Sequence, residues 1–438
     1  MKRLAMAMVA GLLAAGASAA DLEQVYRDAL AYDAPLAAAR ASLAAGQEKL
    51  PQGRAGLLPS IGLSGNTTWN DMDPRRPAGS SVGFNSHGWQ VQLTQPLFRW
   101  QNWVQFKQGE IQVALAEVQY RQARQDLALR ASQAYFDVLA AQDVLAAASA
   151  LHEANSQQLE LAKKSFEVGT VTITDVHEAQ SRADLSSAQM IAADSDLAVK
   201  RHALSVLTGK DVDGLKGLRK GVTLSRPEPG DVQSWVAASE GGNLSVQAAQ
   251  LGVELAGREV ERNRAGHLPT VDLVASRGNT VSSTAAFMPT APVRYDIDST
   301  VIGVQVAVPL FQGGATSSRV RETMALRDKA GADLDNARRN SAQGARQAYL
   351  GVTSGLAQVK AYEAALVSST SALDANKLGY DVGVRINIDV LNAQSQLYDT
   401  QQRLAKARYD TLLAQLRLKA AAGTLGDEDI KAVNALLD

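Results

Sequence analysis

The side chains that most often carry chemistry near neutral pH are few in this chain and badly spaced for it. Five histidines, His87, His152, His177, His202 and His267, are scattered along it, with none of the spacing a metal site uses. There is no Gly-x-Ser-x-Gly elbow or His-Glu-x-x-His run, and nothing resembles a phosphate-cradling P-loop. Cysteine is absent, which excludes thiolate ligands, cysteine nucleophiles and disulfides. No catalytic residue, metal or cofactor is expected. What does recur is a set of charged and hydroxyl side chains beside a glycine, in Phe166 to Val176 and again in Tyr380 to Leu391. Their chemistry is ion pairing and hydrogen bonding. Arg385 and Asp389 fit an ordinary i,i+4 helix pair, and Asp175 fits the N-cap of a helix that returns after Gly169. Gly169 and Gly383 admit the backbone angles that let a helix turn back tightly.

These two segments belong to a longer repetition. Gly56-Leu57-Leu58-Pro59 returns as Gly266-His267-Leu268-Pro269, and Gln95-Pro96-Leu97-Phe98 as Val308-Pro309-Leu310-Phe311. Gln133-Ala134-Tyr135-Phe136 returns as Gln347-Ala348-Tyr349-Leu350. Asp175-Val176 and Ala179-Gln180-Ser181 meet Asp389-Val390 and Ala393-Gln394-Ser395. Four matches in order mark an internal duplication, expected as residues 20–230 and 231–425 with a tail at 426–438.

Each copy reads helix, strand, loop, strand, long helix, helix. Proline breaks helix interiors, and none occurs between Pro96 and Pro227 or after Pro309. Arg99 to Phe166 can therefore be one helix of about 100 Å at ~1.5 Å per residue. Leu22 to Gln52 and Val171 to Thr208 together match its length, as Asp231 to Asn263 and Arg385 to Ala422 match Gln312 to Gly379. Strands are expected near 58–70, 86–98, 268–280 and 299–310. Ile61, Leu63, Thr67 and Trp69 alternate with Ser64, Asn66 and Thr68, and Ile302, Val304, Val306 and Val308 show the same period. Such half-apolar runs of about ten residues suit a tilted strand crossing a bilayer, and equally a soluble sheet with one wet face. Four strands cannot close a barrel, and an open edge is not tolerated in lipid; three copies would supply twelve.

Formal net charge is −1, so no basic field points to nucleic acid. Lys2 and Arg3, the apolar run Leu4 to Ala15 and Ala17-Ser18-Ala19 read as a signal peptide over 1–19. No later stretch is expected to approach the ~20 apolar residues that a membrane-spanning helix needs. The segment Lys210 to Asp231 and the tail are expected, from position alone, to belt the middle of the helical part.

With these features the chain resembles the TolC family of outer-membrane efflux proteins over Asp21 to about Leu425, most specifically in Phe166-Glu167-Val168-Gly169-Thr170-Val171-Thr172-Ile173-Thr174-Asp175-Val176 and Tyr380-Asp381-Val382-Gly383-Val384-Arg385-Ile386-Asn387-Ile388-Asp389-Val390-Leu391. The resemblance implies a mainly α fold: a homotrimer whose 12-stranded outer-membrane β-barrel continues into a long periplasmic α-helical barrel. It implies that the two segments are tips at the periplasmic end. There Arg385 and Tyr380 would link to Asp175 and Thr174 to hold the duct shut. Asp389 would form a constriction ring, which attracts cations, weakened here because Asn392 stands where better-known members carry a second acid. Implied partners are outer-membrane lipid, a periplasmic adaptor and an inner-membrane ABC or RND-type pump. The function implied is the exit duct of a tripartite efflux or type I secretion system. A passive trimeric spacer is the alternative, and catalysis has no support in the residues.

Overall fold

The computed structural model describes residues 19–73, 81–211, 214–219, 221–284 and 293–438. The expected signal peptide lies, but for its last residue, outside the described residues, as do 74–80 and 285–292, within the loops expected between the strands of each copy. The chain is mainly helical. Its elements are α1 (Leu22–Tyr32), α2 (Ala34–Gln47), α3 (Lys49–Ala55), β1 (Ser60–Met72), β2 (Val82–Phe98), α4 (Trp100–Glu167) and α5 (Ile173–Thr208). After these come α6 (Val232–Gly242), α7 (Leu244–Arg264), β3 (Thr270–Ser283), β4 (Arg294–Ala307), α8 (Ala315–Asp381), α9 (Asn387–Ala421) and α10 (Asp427–Asn434). They fall into two compact units.

One unit, Arg40–Tyr120 with Ser245–Ala337, holds an antiparallel sheet in the order β1-β2-β3-β4. Across it Ile61 stands opposite Leu93, Leu93 opposite Ala275, and Ala275 opposite Ile302. Alternation thus puts Ile61, Leu63, Trp89, Val91, Ile302 and Val304 on one face, and all of them are solvent-exposed in the single chain. Ser64, Asn66, Gln90 and Gln92 take the other face. Between Pro96 and Phe98 the β2–β3 register shifts, because proline has no N–H for the ladder. Directly after this bulge Arg99 grips the buried Asp272 with two bonds, Nε to Oδ1 at 2.8 Å and Nη2 to Oδ2 at 2.6 Å.

The other unit gathers the chain up to Ala39, Arg121–Leu244 and Arg338–Asp438. Its core is aromatic where the sequence repeats Gln-Ala-Tyr. Tyr135 is fully buried and donates to the Lys216 carbonyl at 2.7 Å. Phe136 stacks on Tyr409, whose hydroxyl donates to Asp143 Oδ2 at 2.7 Å. Burial pushes both tyrosine hydroxyls well above their ordinary range. The tail docks beside the 214–219 segment: Leu437 bridges Leu218, and the Asp438 N–H donates to the Gly217 carbonyl at 3.0 Å.

The first long apolar periodicity, Leu22 to Gln52, is not one helix. It breaks at Asp33, whose backbone is extended at φ −60° and ψ 118°. The Asp33 carboxylate accepts from the Leu36 N–H at 3.0 Å and from both terminal nitrogens of Arg130, at 3.0 and 2.8 Å. It caps α2 while binding α4, which compensates the interrupted helix. Copy two breaks at the matching Asn243, between α6 and α7, with φ −62° and ψ 130°. Arg130 holds the Asp33 carboxyl below its usual range. An unfolded aspartate titrates near ~3.9, so this stabilisation is present above that pH and is lost as pH falls through the depressed value. Asp33→Ala should lower the denaturation midpoint by the equivalent of about 1–3 kcal/mol. The wild-type advantage should shrink in acid below pH ~4, which denaturant unfolding at pH 7 and pH 3 would check.

One expectation needs correction. α4 contains an 18-residue window of mean hydropathy 1.3, long and apolar enough by composition to cross a membrane. Alanine, dense between Ala128 and Ala150, raises that mean without large apolar side chains, and 44% of the window is buried against neighbouring segments.

Candidate functional site

Both tips are built by the same backbone device. At the end of α4 the Thr170 N–H returns to the Ser165 carbonyl and the Gly169 N–H to the Phe166 carbonyl, each at 2.9 Å. At the end of α8 the Val384 N–H returns to Gly379 at 2.9 Å and the Gly383 N–H to Tyr380 at 3.0 Å. These paired bonds form a Schellman closure, which needs a left-handed residue. Gly169 with φ 79° and Gly383 with φ 80° supply it.

After the turn the copies diverge, and one residue decides how. In the first tip Thr172 is the N-cap of α5, and the Asp175 carboxylate reaches back to the Thr172 N–H at 2.9 Å and hydroxyl at 2.8 Å. Asp175 is therefore the third helical residue of a capping box rather than the cap itself, which corrects that part of the expectation. In the second tip the cap position is Ile386, which offers no side-chain bond. Asp389, the counterpart of Asp175, is thereby left for another partner, and Arg385 Nη1 lies 3.7 Å from its Oδ2. Arg385 is seated over Gly379, where an added Cβ would come within 2.6 Å of the arginine Cγ.

Tyr380 is half-buried against Leu373, Val390 and Leu397. Burial first, and then the charges of Asp175 and Asp381, raise its hydroxyl above the ordinary phenol value. The chain thus brings Tyr380 within the field of Asp175, and Arg385 beside Asp389. Among the described residues no hydrogen bond joins Arg385 or Tyr380 to Thr174 or Asp175. Thr174 is exposed.

A second set of residues links the copies, and of these the sequence reading singled out Asn392 alone. Arg182 of α5 donates to Asn392 Oδ1 at 2.9 Å, and Gln158 of α4 donates to Asn387 Oδ1 at 2.6 Å. Asn155, Asn387 and Gln394 are buried close by in sequence. Their signal was helical spacing of amides, which in a glutamine-rich chain looks like solvated surface. The contact also alters what Asn392 can do. An acid placed there would sit beside Arg182 and be neutralised in part. Asn392→Asp alone should therefore raise cation preference less than Asn392→Asp combined with Arg182→Gln. Reversal potentials in a salt gradient would compare them, and equal shifts would remove Arg182 from the account.

The profile of the outer membrane efflux protein family matches residues 25–210 and again 235–424. The chain belongs to that family. As a member it is similar to the outer membrane protein TolC of Escherichia coli, with 34% identity over 448 residues, 100% of this chain and 90% of TolC. It is also similar to the alkaline protease secretion protein AprF of Pseudomonas aeruginosa, with 32% identity over 431 residues, 97% of this chain and 89% of AprF. Among solved structures the Campylobacter jejuni CmeC outer membrane channel shares the fold at TM-score 0.80 and 16% identity, covering 95% of this chain and 90% of that one. This efflux-family chain is an outer-membrane protein.

Proposed function

We propose that three copies of this chain form the exit duct of a tripartite efflux or type I secretion system, closed at the periplasmic tips. One observation carries the reading. The sheet has an apolar exposed face and two edge strands, β1 and β4, each paired on one side only among the described residues. In lipid such edges leave backbone groups without partners, at a cost of several kcal/mol each. Closure with further copies removes every edge and turns the exposed apolar face toward lipid. Twelve strands from three copies leave a lumen lined by Ser64, Asn66, Gln90 and Gln92, which is wet and suits passage of solutes.

The tips supply the gate. Tyr380 and Arg385 on the second tip face Asp175 and Thr174 on the first, and the links that shut the duct form as the copies assemble. Asp389 from three copies makes a ring at the constriction. Energy comes from an inner-membrane ABC or RND-type pump, reached through a periplasmic adaptor that must bind the open tips better than the closed ones. The duct itself needs no cofactor and carries out no catalysis. AprF is by name a protease secretion protein, which favours a protein cargo route among the two systems.

The test is the mass of the detergent-extracted complex followed by single-channel recording in a planar bilayer. A trimer with a small, cation-preferring conductance is expected. A verified trimer that never conducts would favour the passive spacer, and a monomer would remove the duct.

A further inference from the structure

The apolar band on the outward face of the sheet does not run straight across the strands. On β1 it extends from Ile61 through Leu63 to Trp69, all more than two-thirds exposed. On β4 it occupies Ile302, Val304 and Val306 and continues to Val308. Above Ile302 the same face of β4 carries Thr300, Asp298 and Asp296, and Asn279 of β3 donates to both carboxylates, at 2.6 Å to Asp296 and 3.0 Å to Asp298. Following the ladders across, Thr67 stands opposite His87, His87 opposite Val281, and Val281 opposite Asp296. Perpendicular to the strands, then, the apolar half of β1 is level with the charged half of β4. The band descends from β1 to β4. A bilayer is flat, so the strands must be tilted until the diagonal band lies horizontal.

The descent fixes how the next copy joins. We propose that β4 pairs antiparallel with β1 of a second copy in a displaced register: Val308 opposite Ile61, Val306 opposite Leu63, Val304 opposite Gly65 and Ile302 opposite Thr67. This rests on the trimeric duct proposed above and specifies its seam. Three constraints select it. Only even displacements keep apolar residues on the lipid side, because a one-residue slip turns every side chain over. Relative to the undisplaced ladder, in which Ile61 is level with Ile302, the seam is offset by six residues, from 302 to 308. Three such offsets accumulate about 18 residues around about twelve strands, a tilt of roughly 46° for strands ~4.8 Å apart rising ~3.3 Å per residue. That is close to the ~35–45° of outer-membrane barrels, whereas two residues more would demand roughly 54°. Two residues fewer would tilt the strands by roughly 35° but would set Asp298 opposite Trp69, inside the apolar band. Prolines give the third constraint. The seam sets Pro309, two residues past the end of β4, opposite Ser60, the first residue of β1, whereas the larger displacement would put it opposite Gly62, inside the ladder, where it lacks a donor.

The undisplaced alternative sets Asp298 against Gly65 and Asp296 against Thr67, carrying two carboxylates into the lipid band of the neighbour. The displaced seam moves Asp298 beside Asp71, above the band, where water and salt screen the repulsion.

The absence of native cysteine makes the seam testable by oxidative cross-linking of the full-length protein in the membrane. On the lumen side the register places Ser64 opposite Gln305, and on the lipid side Leu63 opposite Val306. Because neighbouring pairs in an antiparallel ladder alternate in Cα spacing, these two bracket the geometry a disulfide needs. A Ser64→Cys, Gln305→Cys protein or its Leu63→Cys, Val306→Cys counterpart should yield a covalent trimer that survives boiling and collapses on reduction. Ser64→Cys with Ser299→Cys, the undisplaced pair, should not. Cross-linking through Ser299, or none through either displaced pair in a preparation shown to be trimeric, would overturn the seam and leave the duct standing. Cysteine-free protein that is not trimeric would overturn both.

Discussion

Replacing Arg385 by alanine should raise the open probability of the single channel by more than tenfold, and magnitudes decide what such a result would mean. Among the described residues of the isolated chain the Arg385 guanidinium has one ion-pair partner, Asp389, one turn away at 3.7 Å with the arginine side chain 58% exposed. An exposed i,i+4 pair contributes about 0.3–0.5 kcal/mol, which changes an open-to-closed ratio about twofold. A hydrogen bond from the guanidinium to the opposing tip would contribute about 1.5–3 kcal/mol, or tenfold and upward. The size of the change therefore separates a latch from a helix pair. Asp389→Asn sharpens the comparison, because it breaks the helix pair and leaves the arginine able to reach across. If the two variants open equally and only about twofold, Arg385 serves its own helix and the latch must be assigned elsewhere. Tyr380→Phe offers a parallel reading, since the hydroxyl already feels the charge of Asp175. Losing it should loosen the tip by a smaller factor.

The tip also shows which features a sequence can disclose. A glycine at the end of a long apolar periodicity is a readable stop, because few other residues take φ near 80° without strain. The split between Asp175 and Asp389 was not readable from the acids, which occupy matching positions. It follows from Thr172 against Ile386, a hydroxyl against a hydrocarbon at the N-cap. The break at Asp33 had a local signal: Pro35 lacks the N–H that would continue α1, and Asp33 caps the helix that restarts there through the Leu36 N–H. What no local pattern shows is the partner Arg130, remote in sequence, that holds the same carboxylate. β2 starts at Val82 rather than near 86, because from Gly83 to His87 Phe84 is the one large apolar side chain, and a single one shows no alternation. The amide contacts Gln158–Asn387 and Arg182–Asn392 need two copies of the repeat brought side by side, which no local pattern encodes. Periodicity and turn chemistry are local and legible; choice of partner is not.

The largest stability effect is expected at the joint between sheet and helix. Arg99 immediately follows the β2 bulge and holds Asp272 with two short, parallel bonds. The aspartate side chain is 9% exposed, whereas the arginine is 41% exposed. The two ends of this pair are therefore unequal. Removing the aspartate leaves an arginine that can turn into water. Removing the arginine leaves a carboxylate inside, with its lone pairs unmet, and breaking a buried pair in that way costs about 3–5 kcal/mol. Arg99→Leu should thus be far more damaging than Asp272→Asn, which keeps a polar group able to hydrogen bond. The double variant Arg99→Leu, Asp272→Leu should recover much of the loss, since apolar replacement of both partners is often neutral. Comparing the temperature or denaturant concentration at which the detergent-solubilised complex comes apart would rank the variants, with unfolding rates used if refolding fails. Equal losses from Arg99→Leu and the double variant would mean that the arginine stem, packed at the start of α4, matters more than its charge. If instead Asp272→Asn were the most damaging, the carboxylate would be holding the bulged backbone in place, and the joint would depend on the acid rather than on the pair.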